Sequence, residues 1–194
     1  CQVCYRQEDT VGRPGSYFAH ALVSPNRSAQ DTLTTRECLK LWGLQQWQIK
    51  DPLGEDLGTL ESFESLEQWA VEQPGICDDL LRQFLTVEDG VTITAGPEIV
   101  PDRLRGQPPA ERQDLLRDCL LRYLEANGKK ESLLLVAEPG LAALLFYGIA
   151  WLLPPGPLSD RISFSTYEYD PTRLKTRLAA TRYHEPERND VPPE

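Results

Sequence analysis

The chain has 194 residues, 40% of them hydrophobic and 26% charged, and a formal net charge of −10. This is the profile of a globular protein with one large domain or two small ones. An excess of 30 acids over 20 bases argues against a nucleic-acid binder or a protein held on an anionic membrane, since both normally present a basic face. The longest apolar run, Leu141 to Leu153, falls short of the roughly 20 residues a membrane span needs.

The sequence contains no methionine and begins at Cys1, which points to a fragment or a processed form. A mature lipoprotein also begins with cysteine, but "CQVCYR" reads as a strand rather than a polar tether. The strand "CQVCYRQ" and a second one, "SYFAHALVS", flank the turn-rich "EDTVGRPG", so a hairpin or neighbouring strands are predicted. In "TTRECLKLWGLQQW", Thr34 and Glu37 have capping-box spacing, and Cys38, Leu41 and Trp42 would share a helical face. Ser65 and Gln68 repeat the box in "SLEQWAVEQPG", which Pro74 and Gly75 end. Leu80, Leu81, Phe84 and Leu85 form one face of a further helix, and "GVTITAG" reads as a short strand.

The Pro- and charge-rich stretch 97–111 is the candidate boundary between an N-terminal α+β domain, 1–105, and a second domain, 106–194, which can pack as one unit. In the second, "PAERQDLLRDCLLRYLEANGKK" predicts a helix with the stripe Leu116, Cys119, Leu120, Tyr123 and Leu124, stopped at Asn127-Gly128. "SLLLVAE" reads as a strand covered on both faces. A helix buried on most sides follows over Leu141 to Leu153, and "RISFSTYEY" is the next strand. Strand, helix, strand predicts a βαβ unit whose strands, around Leu135 and Phe164, are parallel and adjacent, with a right-handed crossover. "DPTRLKTRLAATRY" reads as one more helix. The expected class is therefore α/β or α+β: a mixed sheet with an N-terminal β-hairpin, several helices and a C-terminal βαβ unit. Trp42, Trp47, Trp69 and Trp151 read as core anchors.

Several chemistries lack their residues. "GRPGSYFAH" has no Gly-Lys-Ser/Thr, "GKKES" has the wrong order after a helix, and no Gly-x-Gly-x-x-Gly occurs. No Gly-x-Ser-x-Gly elbow or His-Glu-x-x-His helix is present. Cys1 and Cys4 form a single C-x₂-C pair, and in a strand they point to opposite faces, so no zinc is expected. Five widely spread cysteines, an odd number, suggest a reducing cytoplasm. His20 alternates with Phe18 and Leu22, which favours a hydrogen-bonded strand residue over a catalyst. Glu138 would sit at the carboxyl end of a parallel strand, where ligands favour binding, with Asp170 at the same edge. Helix capping by Glu138 and a turn at Asp170-Pro171 is the alternative. The candidate binding residues are Arg13, Ser16, His20, Glu138 and Asp170. None is given a catalytic role, and no metal or cofactor is expected.

"GRPGSYFAHALV" and "CLKLWGLQQWQIKDP", with "SLLLVAEPGLAALLFYGIAWLLP" and "RISFSTYEYDP", resemble a family of bacterial GTPase-associated proteins. The first two stretches are similar to its N-terminal domain and the last two to its middle domain. Gly12, Arg13, Gly15, Phe18 and His20 are the residues that map onto its motif. The resemblance implies an adaptor or regulatory role beside a GTPase partner in bacterial defence or conflict systems, and it carries no catalytic set. Two functions are thus in view: a non-enzymatic interaction module, or a small hydrolase using an acidic or His-containing cleft.

Overall fold

A computed structural model describes residues 2–8, 14–20, 33–42, 75–88, 93–96, 98–168, 172 and 174–182, with the backbone alone for 2–8 and 14–20. The chain divides into two compact units. One comprises Cys1–Leu33 and Lys40–Gly75, the other Thr34–Leu39 and Ile76–Glu194.

In the first unit, strands β1 (Gln2–Glu8) and β2 (Pro14–His20) pair antiparallel, with Gln2 opposite His20 and Tyr5 opposite Tyr17. The predicted helix in 65–73, Trp47 and Trp69 lie outside the described residues.

The second unit begins with α1 (Thr35–Lys40). Its start is the predicted capping box: the Glu37 backbone N–H donates to Thr34 Oγ1 at 3.2 Å, and the Thr34 N–H donates to Glu37 Oε2 at 2.7 Å. Of the expected face, Leu41 is buried just after the helix and Trp42 is partly covered, but the face buried within α1 is another one. It is Thr35 and Leu39, spaced i and i+4, while Cys38 is only partly covered. Helix α2 (Asp78–Thr86) buries Leu80, Leu81 and Phe84 of its predicted face, while Leu85 is only partly covered. Residues 93–96 are not a strand. The Pro-rich stretch carries the short α3 (Asp102–Arg105) and places buried Ile99, Val100 and Leu104 in the second unit.

Helix α4 (Pro109–Gly128) opens with proline at its first position, where a missing N–H costs nothing. It buries Arg112, Leu116, Cys119 and Tyr123, whereas Leu124 is exposed. Its end is a correction. Gly128 is still helical, and Lys130 takes the left-handed position, with φ of 61°. The Glu131 N–H reaches Ala126 O and the Lys130 N–H reaches Asn127 O, which is a Schellman closure with lysine where glycine is usual.

Strand β3 (Leu133–Val136), helix α5 (Pro139–Leu152), the short α6 (Pro157–Asp160), β4 (Phe164–Ser165) and β5 (Leu178–Thr181) complete the unit. The sheet is parallel in the order β3-β5-β4. The strands around Leu135 and Phe164 are parallel as predicted but not adjacent. Strand β5 lies between them, formed by a segment whose Ala, Leu, Arg and Lys content favours helix. Nor is β3 covered on both faces: Leu133 is buried and Val136 is 60% exposed.

The core gathers around α5, which is buried at every position from Gly140 to Ala150 and is flanked by α2, α4, α6 and β5. Two glycines make the fit possible. A β-carbon on Gly140 would collide with the Glu98 carbonyl, and one on Gly148 would come within 2.8 Å of Leu116 and 3.2 Å of Leu81. The helix ends with Trp151 outside the core, 44% exposed. No helix among the described residues is long and apolar enough to cross a membrane.

Candidate functional site

Of the predicted site residues, Glu138 is the one whose side chain is described. It stands at the N-cap of α5 but makes no capping hydrogen bond. Its carboxylate pairs with Arg182 at 2.7 Å, directly after β5. Backbone pairing of Ala137 N–H with Thr181 O, 3.0 Å, brings these two strand ends together. An ion pair therefore joins the ends of β3 and β5 at the carboxyl edge of the sheet, with both side chains about half exposed. Asp170 and Arg13 lie outside the described residues. Ser16 and His20 are placed by backbone only, in β2 of the first unit, opposite Arg6 and Gln2. His20 is the last residue of β2.

A polar cluster that the periodicities did not announce joins α1, α2 and α5. Asp78 Oδ1 accepts from Arg36 Nη2 at 3.1 Å and from the Tyr147 hydroxyl at 2.5 Å. The Arg36 guanidinium also lies 5.6 Å from the centre of the Tyr147 ring. Tyr147 is fully buried, and burial, reinforced by the bond to Asp78, pushes its pKa up to about 12. A phenol held protonated, on a carboxylate shared with a guanidinium, is set to fasten helices rather than to accept a proton at neutral pH. Nearby, Thr35 exchanges both of its hydroxyl's capacities with Ile162. It donates to Ile162 O at 3.2 Å and accepts from Ile162 N–H at 2.8 Å, all buried.

Two measurements follow from this cluster. Because the folded pKa of Tyr147 stands above its usual 10, the stability it contributes is complete below about pH 10 and drains away as pH rises towards 12. The wild-type protein should therefore lose stability across that window, and Tyr147→Phe should show a shallower alkaline fall. Identical slopes would refute the assignment. Thr35→Val leaves the Ile162 N–H buried without an acceptor, at a cost of about 1–3 kcal/mol. Thr35→Ser keeps the hydroxyl and should melt closer to wild type. A valine variant as stable as the serine variant would contradict the paired bonds.

Two arginines hold the segment between α2 and α4. Arg105 donates Nε to Val100 O at 2.9 Å, Nη1 to Ile93 O at 3.0 Å, and Nη2 to Ala95 O. Arg112 is completely buried, donates to Val87 O and Leu104 O, and lies 5.8 Å from the centre of the Phe84 ring. Val87 caps the carboxyl end of α2 and Leu104 belongs to α3, so its charge meets the negative ends of two helices. Burial lowers its pKa. One signal for Arg112 was available in the sequence: with Leu116, Cys119 and Tyr123 it shares the i, i+4, i+7, i+11 face.

Cys38, Cys77 and Cys119 are free thiols. Burial raises the pKa of Cys38 and Cys119, which makes them poor nucleophiles. Cys77 caps α2, its sulfur accepting from the Leu80 N–H at 3.5 Å. Among the described residues no group of three or more His, Cys, Asp or Glu side chains could hold a metal ion. No family model, no curated protein and no solved structure matches this chain.

Proposed function

We propose that the chain is a non-enzymatic adaptor that binds a protein partner, a GTPase in the reading that its family resemblance implies, in a reducing cytoplasm. The observation that supports this most is a run of large apolar side chains left in solvent. Trp151 and Leu152 close α5 at 44% and 43% exposure, and Leu158 on α6 follows at 44%. Exposed aromatic and aliphatic groups this close in sequence favour a protein contact, and tryptophan is among the residues that dominate binding energy. The described ionisable groups fit the same reading: Arg36, Asp78, Arg105, Arg112 and Tyr147 are engaged in holding the second unit together.

The test is titration of the full chain against a purified GTPase candidate in its GDP and GTP states, with two single variants. Arg13→Ala, in the turn that the family motif shares, should weaken association while changing stability by no more than about 0.5 kcal/mol. His20→Ala should lower stability by about 1–3 kcal/mol, the loss that the alternation with Phe18 and Leu22 leads one to expect of a strand residue with a hydrogen-bonding side chain. A His20→Ala protein that melts like wild type but loses a hydrolytic activity would instead establish the hydrolase reading.

A further inference from the structure

Parallel strands all begin at one edge of their sheet, and here each of the three is preceded by cations. Lys129 and Lys130 come before β3, Arg161 before β4, and Lys175 and Arg177 before β5. Hydrogen bonds tie these approaches together. Leu133 N–H donates to Arg177 O at 2.9 Å, Arg177 N–H to Ser163 O at 2.9 Å, and Ser132 Oγ to Thr176 O at 2.6 Å. Lys129, Lys130, Arg161 and Lys175 are exposed, and Arg177 is partly so.

Among the described residues, the acids within four residues before these strands are Glu131 and Asp160. The Asp160 carboxylate is occupied by the Gly156 N–H and the Ser159 hydroxyl, and Glu131 is exposed. Elsewhere in the unit, Arg36, Arg82, Arg105, Arg117 and Arg182 each face a carboxylate, while among the described residues Arg103 and Arg122 are isolated on α3 and α4. Among the described residues, none of the five cations at the amino edge faces a carboxylate. Arg177 spends one N–H on the Glu131 backbone carbonyl, 3.3 Å away. Lys130 holds a left-handed backbone that glycine would adopt without strain.

We propose that this basic edge docks a short acidic segment of a protein partner. Neighbouring strands lie about 4.8 Å apart, so the three strand starts span about 10 Å, and each of the five cations lies within four residues of one of them. That span matches several carboxylates in an extended peptide rather than a single anion. A long polyanion such as DNA, or an anionic membrane, would extend beyond it and meet the rest of a chain whose net charge is −10. A short segment stays within about one screening length, 8–10 Å, of the cations. The inference deepens the adaptor reading and rests on it.

The experiment uses the full chain and fluorescence anisotropy of a labelled peptide of alternating Glu and Gly. Its Gln-Gly counterpart, oligothymidylate and phosphatidylserine vesicles are run in parallel. The Glu peptide should bind and weaken as salt is raised, and the Gln peptide should not bind. Lys129→Glu with Lys175→Glu should weaken binding about tenfold, while Arg82→Glu with Arg103→Glu, an equal change of charge on α2 and α3, should alter it less than about twofold. Lys130→Gly should weaken binding yet melt no lower than wild type, which separates the docking role from a folding defect. The proposal is overturned if the Glu peptide does not bind, if both charge-reversed pairs lose affinity equally, or if oligothymidylate or vesicles bind more tightly than the peptide. A GTPase complex that forms normally with the Lys129/Lys175 variant would remove this edge while leaving the adaptor reading intact.

Discussion

Phe146→Ala is expected to cost about 3–5 kcal/mol, the upper range for truncating a buried aromatic ring. Phe146 is 0% exposed in the middle of α5, and the helix is buried from Gly140 to Ala150. The cost of such a cavity depends on how far its surroundings can collapse. Here α2, α4, α6 and β5 brace α5 together, and Gly140 and Gly148 already bring neighbouring groups as close as they can come. Little relaxation is available. Trp151, on the same helix but 44% exposed, is the internal control. Trp151→Ala should cost about 1 kcal/mol or less, as partly exposed positions do. Urea denaturation monitored by far-UV circular dichroism compares the two, and equal losses would refute the burial of α5.

Arg112→Ala is expected to cost about 2–4 kcal/mol. It removes the donors of two carbonyls, Val87 O and Leu104 O, and the contact with the Phe84 ring. One term acts the other way. Arg112 Nε is buried without a partner, so truncation also removes an unsatisfied group. Arg112→Met separates these contributions, because it keeps most of the side-chain volume and discards the charge and the donors. Replacing buried ionic groups by apolar ones is often neutral or stabilising. A methionine variant clearly less stable than wild type shows that the carbonyl bonds outweigh desolvation, which is the result expected. Hydrogen exchange should then quicken at the end of α2 and through α3, the elements whose carbonyls Arg112 holds. Unchanged exchange there, with a methionine variant as stable as wild type, would show that Arg112 does not organise the segment.

Several elements follow from instructions that are local in the chain. Thr34 and Glu37 closed the predicted capping box, Pro109 opened α4, and the apolar spacing of Leu80, Leu81 and Phe84 marked the buried side of α2. The all-round apolar run at 141–153 was legible as a buried helix, because no helix so apolar can face water. Who pairs with whom depended instead on long-range packing. Leu178, Ala179 and Ala180 have helical propensity, yet they form the central strand: the slot between β3 and β4 satisfies their backbone groups on both sides, and each is 0% exposed. Asp78 meets Arg36 and Tyr147 across separations of 42 and 69 residues, and no local spacing encodes such a meeting. The basic edge has the same origin. Lys129, Arg161 and Arg177 are scattered in sequence, and they line one edge because three parallel strands start there.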